Sequence, residues 1–97
     1  MKLSYNLMPL SLQNMRPVAL ASERAGLHSV AVADSPLISR ELFMSCAECL
    51  RETKSLNVMT AVTNPLTRHP SVAASAIATL CEMAPGRLLV GIATGDS

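Results

Sequence analysis

Three groups of residues in this 97-residue chain have the types and spacing that chemistry uses. Cys46 and Cys49 form C-A-E-C, a spacing that serves metal binding or thiol redox work. The segment Thr63 to Pro70, "TNPLTRHP", packs two prolines, an Arg and a His between two apolar segments. The third group is Asp34, Thr63 with Asn64, and Gly95 with Asp96, polar residues that each follow an apolar run. Zinc needs four ligands, and beyond Cys81 and two His nothing pairs with C-A-E-C at a finger spacing. A redox C-x-x-C opens a helix, whereas this one lies within a helical pattern. Both thiols therefore read as small core residues.

The elements that must position these groups alternate between two textures. Short β-rich runs start at Lys2, Ser29, Leu56 and Arg87, spaced by 27, 27 and 31 residues. Helical patterns lie between them. The first, near Asn14 to Ala25, has Asn14 as a cap, Pro17 in the first turn and Gly26 as a left-handed stop. The second, near Ser39 to Lys54, carries Leu42, Phe43, Cys46, Ala47 and Leu50 at helical spacing. The third, near Pro70 to Ala84, is expected to bury Ala73, Ala76, Ile77 and Leu80 before Pro85 and Gly86 break it.

A β-α unit repeating at this length, with near-continuous apolar strands, means a parallel sheet covered by helices. In such folds the site lies at the carboxyl ends of the strands. Asp34, Thr63, Asn64 and Asp96 all fall there, and Asn6 adds a polar group inside the first run. A dinucleotide fold needs G-x-G-x-x-G after the first strand, where this chain reads "MPLSLQN". A doubly wound nucleotide-binding fold is disfavoured.

Composition narrows the class further. The chain is 49% hydrophobic and 15% charged with a net charge of +1, too apolar for disorder and too balanced for a nucleic-acid binder. No window holds ~18 uninterrupted apolar residues, so no membrane span is expected. "MKLSYNLMPLSL" lacks the continuous apolar core of a signal peptide. Three cysteines without framework spacing suit a reducing compartment, so the expected location is the cytoplasm.

"LASERAGLHSVAVAD", "AVTNPLTRHPSVAASAIATL" and "PGRLLVGIATGDS" together resemble the N-terminal half of the bacterial luciferase-like oxidoreductases. The resemblance runs from Lys2 to Ser97, and its most specific pieces are T-N-P-x-T-R-H-P and G-x-x-x-G-D-S. It implies α/β architecture as the N-terminal part of a TIM (β/α)8 barrel, with about four strands and three helices. It implies an oxidoreductase using F420 or FMN to move a hydride to or from a small-molecule substrate, or to monooxygenate it. By this likeness the third strand ends in a non-prolyl cis peptide near Ala61 and Val62 that supports one face of the ring. Ala61, Val62, Thr63, Asn64 and Asp34 are then the cofactor-binding candidates, and Asp34 and Asp96 the catalytic ones. Ser35 follows Asp34 where the sugar-phosphate and alcohol dehydrogenases of the family have a His, which disfavours that sub-class. The T-R-H-P and G-D-S pieces lean instead toward reductases such as methylenetetrahydromethanopterin reductase.

A closed barrel needs ~250 residues. The chain is therefore expected to be a partial barrel, spanning 1–97 as one incomplete domain, that associates with itself as a homo-oligomer. His69 is expected to cap the third helix, and Glu23, Glu41, Glu48 and Glu82 to be solvated charges. The alternative reading is a catalytically inactive, self-associating half-barrel that binds no cofactor.

Overall fold

A computed structural model describes residues 2–94. Seven elements alternate along it: β1 (Ser4–Leu7), α1 (Leu12–Arg24), β2 (Ser29–Val32), α2 (Leu42–Glu52), β3 (Asn57–Thr63), α3 (Pro70–Met83) and β4 (Leu88–Ile92). All strands are parallel, and their order across the sheet is β1-β2-β3-β4. Each new strand is added on the same side, with no reversal. A doubly wound sheet has a reversal where its ligand binds, whereas continuous winding in one direction is that of a barrel.

Register alternation divides the sheet into two faces. Leu7, Val30, Val32, Val58 and Leu88 share one face and pack with Met15, Ala19, Leu42, Phe43, Cys46, Cys49, Leu50 and Leu80 of the three helices. Cys46 and Cys49 are fully buried there. Burial pushes both thiols up, Cys49 to about 12, so they stay protonated and pack as small apolar groups. Ser4, Asn6, Ala31, Met59 and Leu89 occupy the other face, over which no described helix lies.

The helix ends differ from expectation in instructive ways. α1 begins at Leu12, and its cap is Ser11, whose hydroxyl accepts the Gln13 N–H; Asn14 lies within the helix. Pro17 therefore sits beyond the first turn, at an exposed position, where solvent can serve the backbone group that the missing N–H leaves free. Gly26 has φ +76° and ends the helix as anticipated. α3 buries only Leu80 fully; Ala73, Ala76 and Ile77 are half-buried, and Val72 and Met83 are exposed. The cause is position, since α3 packs against α2 and no described helix lies on its other side.

Two of the glutamates expected to be solvated are structural. Glu23, at the end of α1, accepts the backbone N–H groups of Lys54, Ser55 and Leu56 at 2.9, 2.7 and 3.0 Å, pinning the loop that enters β3. These bonds, that of Ser55 foremost, together outweigh the opposing desolvation and hold its carboxyl below the usual range. A depressed carboxylate contributes stability above its unfolded pKa and loses it as pH falls through the folded one. Glu23→Gln is expected to lower the melting temperature by about 5 °C at neutral pH, on the order of 1 kcal/mol. The gap from the parent should close as pH drops toward 3; a gap independent of pH would contradict the assignment. The other structural glutamate, Glu41, caps α2 through the Met44 N–H at 2.8 Å and reaches the rim described next.

Candidate functional site

β2, β3 and β4 end side by side, and the loops after them bring the rim residues together. Asp34 follows β2 with its side chain 2% exposed. Its Oδ2 accepts the Thr63 hydroxyl at 3.0 Å and Arg68 Nη1 at 2.7 Å, while Oδ1 accepts Nη2 at 3.3 Å. The remaining face of the guanidinium fork donates to Glu41 Oε2, from Nε at 3.2 Å and Nη2 at 2.6 Å. Phe43 lies beneath, its ring centroid 4.8 Å from the guanidinium carbon. Partial burial draws the Arg68 pKa down, but the hydrogen bonds and charges of Asp34 and Glu41 outweigh it and leave it above its ordinary value. One guanidinium thus ties the ends of β2 and β3 to the starts of α2 and α3.

Asn64 extends the lacing toward β4. Its amide donates to the Thr94 carbonyl at 2.8 Å, and its Oδ1 accepts the Leu66 N–H at 2.8 Å. The Thr63 carbonyl accepts the Ala93 N–H at 3.1 Å. His69 is the α3 cap, its Nδ1 accepting the Ser71 N–H at 3.1 Å, which accounts for it without a catalytic role. Pro70 opens the helix, where its missing N–H costs nothing. The density of rigid and polar residues in "TNPLTRHP" thus follows from three local tasks: tie the rim, turn the chain and cap α3.

The end of β3 is irregular. Thr60 pairs with Val90 and Thr63 with Ile92, so three steps on β3 match two on β4, and the peptide between Ala61 and Val62 is cis. This bulge lies where the resemblance put it. Gly91 sits opposite: a Cβ there would stand 2.6 Å from the Thr60 carbonyl oxygen and 3.3 Å from Val62 Cγ1. Thr60 and Gly91 also bond reciprocally, Thr60 Oγ1 donating to the Gly91 carbonyl at 2.9 Å and accepting its N–H at 2.8 Å.

On the face away from the helices, Ala31, Ala33 and Ala61 form with Asn6 and Met8 a shallow recess of about 200 Å3. Three adjacent methyl groups make a low apolar floor, with one amide beside it. A second, apolar cleft of about 480 Å3 lies between the loops after β2 and β3, walled by Pro36, Leu37, Ile38 and Leu66. Among the described residues no group of three or more His, Cys, Asp or Glu is placed to hold a metal.

The structure brings Asp34, Thr63 and Asn64 to one rim, with Ala61 and Val62 at the bulge beside it. Asp96 lies outside the described residues. The residues missed in the sequence are Arg68 and Glu41, which close the Asp34 network, and Ala31 and Ala33, which floor the recess. The spacing of Ala31 and Ala33 on one strand face was the signal available for the floor.

Comparison with known proteins converges on one family. The sequence model described as luciferase-like monooxygenase matches residues 3–97. A 5,10-methylenetetrahydromethanopterin reductase of Methanolobus tindarius is 31% identical over 78 residues, covering 80% of this chain and 24% of that protein. The solved coenzyme F420-dependent tetrahydromethanopterin reductase of Methanopyrus kandleri superposes with TM-score 0.89 at 25% identity, over 98% of this chain and 27% of its own. A Streptomyces bottropensis monooxygenase superposes with TM-score 0.86 at 22% identity, over 95% of this chain and 32% of its own, a likeness of fold. The chain spans about a quarter to a third of the length of these relatives.

Proposed function

This chain belongs to the luciferase-like monooxygenase family, and from that premise we propose that it forms the N-terminal part of an F420- or FMN-dependent oxidoreductase acting on a small organic substrate. The observation that carries the reading is the recess floored by Ala31, Ala33 and Ala61 at the β3 bulge. Of the two cofactors F420 is the better supported, because two similar proteins are methanopterin reductases and one of them is described as F420-dependent. When bound, such a ring supplies hydride transfer, or oxygen chemistry in the case of reduced FMN.

The chain's own residues would bind and orient. Ala31, Ala33, Ala61 and Val62 take one ring face, and Thr63, Asn64 and Asp34 brace the edge of that floor. Asp34, with both oxygens occupied, acts there as a hydrogen-bond acceptor. Asp96 is retained as the carboxylate proposed for proton transfer. The cleft walled by Leu37, Ile38 and Leu66 offers an apolar seat for part of the substrate. Three free cysteines, two of them buried, and no described helix long and apolar enough to cross a membrane support a place in the cytoplasm.

Titration of the 97-residue chain with F420 and with FMN, followed by absorbance and fluorescence, tests this. A saturable change is expected with at least one of them, at a Kd of roughly 0.1–1 mM because contact with a ring face alone is weak. Flat titrations with both would remove the cofactor reading.

A specific observation favours a second property, self-association. Leu89, Val90 and Ile92 of β4 are 38–60% exposed, and within this sheet β1 and β4 each have one neighbouring strand. Sedimentation velocity should show species larger than the monomer at concentrations of about 100 µM; a monomer throughout would contradict this.

A further inference from the structure

We propose that Arg68 is the positioning residue of this rim: by gripping Asp34 it holds the Thr63 hydroxyl, and through Thr63 it sets where the β3 bulge lies. That the bulge face is a cofactor's rests on the function proposed above; the mechanical role does not.

The chain of contacts is continuous. Among the described residues, Arg68 hydrogen-bonds at the ends of both β2 and β3 and at the cap of α2. Its planar fork engages Asp34 through two nitrogens and Glu41 through Nε and Nη2, while its face rests on Phe43. A lysine ammonium can carry the charge but cannot make both paired contacts or the stacking. Asp34 relays the grip, since its Oδ2 accepts Arg68 and Thr63 together. Thr63 is the first residue back in register after the bulge, and its carbonyl holds the Ala93 N–H. Movement of the guanidinium is therefore transmitted to the bulge through Asp34 along two hydrogen bonds, and directly by Arg68 Nη1 donating to the Thr63 hydroxyl at 3.3 Å. Asp34, with both oxygens held by Arg68 and Thr63, is thereby a strut between them.

Amide hydrogen exchange and amide chemical shifts of the full 97-residue chain test this in Arg68→Lys and Thr63→Val. The reporters are Val62, Thr63 and Ala93; the reference is Val58, whose N–H bonds the Arg87 carbonyl at the far end of the same strand. Both variants should shift the reporter amides, and the protection of Ala93 relative to Val58 should fall by about tenfold. Thr63→Val leaves the Arg68 pairs with Asp34 and Glu41 intact, so it remains informative if Arg68→Lys loosens the whole fold. Arg16→Lys, at an exposed pair with Glu52, should change neither quantity. Equal loss at Ala93 and Val58 in Thr63→Val, or unmoved reporters in both variants, would overturn the proposal. Cofactor titration of the parent alongside separates the two ideas. A parent that binds neither ring, while the variants still shift the reporters, upholds the positioning role and removes the cofactor reading.

Discussion

Gly91→Ala is expected to lower the melting temperature by about 10 °C or more, corresponding to roughly 2–3 kcal/mol for a domain of this size. The added Cβ would stand 2.6 Å from the Thr60 carbonyl oxygen, a backbone atom that cannot turn aside as a flexible side chain can. Relief requires β3 and β4 to part at the bulge. That motion also stretches the reciprocal bonds between Thr60 and Gly91, at 2.9 and 2.8 Å. Gly91 lies in ordinary extended backbone, so the cost is one of space and not of conformation. Gly26 and Gly86 offer the contrast: both have positive φ with no atom within 4 Å of an added Cβ, and there conformation alone sets the cost. Thermal melts followed by circular dichroism check the prediction. A Gly91→Ala protein melting within about 2 °C of the parent would mean that the strands are not this close.

Arg68→Met is expected to cost roughly 3–5 kcal/mol, the largest effect of any single polar replacement here, and to leave the chain mostly unfolded near 37 °C. Methionine retains much of the apolar stem and the packing on Phe43 but strands the Asp34 carboxylate, whose side chain is 2% exposed. The Thr63 hydroxyl alone cannot compensate a buried negative charge. Adding Asp34→Asn should recover a large part of the loss, because a neutral amide can still accept from Thr63. Urea denaturation of the parent, both single variants and the double variant gives the coupling energy directly. A coupling near zero would place the pair among the surface ion pairs that contribute little. Arg51 with Glu48, where the arginine side chain is 65% exposed, is such a pair in this chain, and Arg51→Met should shift stability by less than about 0.5 kcal/mol.

The parts of this fold that were legible in the sequence are those set by local patterning. Strand starts read at Lys2, Ser29, Leu56 and Arg87 fall within two residues of β1, β2, β3 and β4, because each apolar run is bounded by polar or turn residues. The α3 start was legible because His69 and Pro70 are a cap and a first-turn residue. The α1 start was not: Ser11 and Asn14 are both competent caps, and Pro17 drew the boundary toward itself, although one exposed proline within a helix is tolerated. Burial along α3 was overstated, because a stripe such as Ala73, Ala76, Ile77 and Leu80 records which side can be covered and not whether a neighbour covers it.

At the site, Asp34, Thr63 and Asn64 could be placed from strand ends alone. Arg68 and Glu41 could not be joined to them. Arg68 lies 34 residues from Asp34 and 27 from Glu41, and only the parallel register of β2 and β3 brings the three together. Glu23 was likewise read as a surface charge because its three backbone donors lie beyond residue 53, on a loop with no pattern of its own.

The cofactor floor admits one direct measurement: the amide chemical shifts of the isotope-labelled chain during addition of F420 and, separately, FMN. Ala31, Ala33, Ala61, Val62 and Thr63 should move together along a single saturating curve, with the amides of α2 and α3 that face away from the rim unmoved. Shifts confined to the groove between α2 and α3, around Met44, Val72 and Met83, or no shift with either compound, would contradict a ring seated on the β3 bulge.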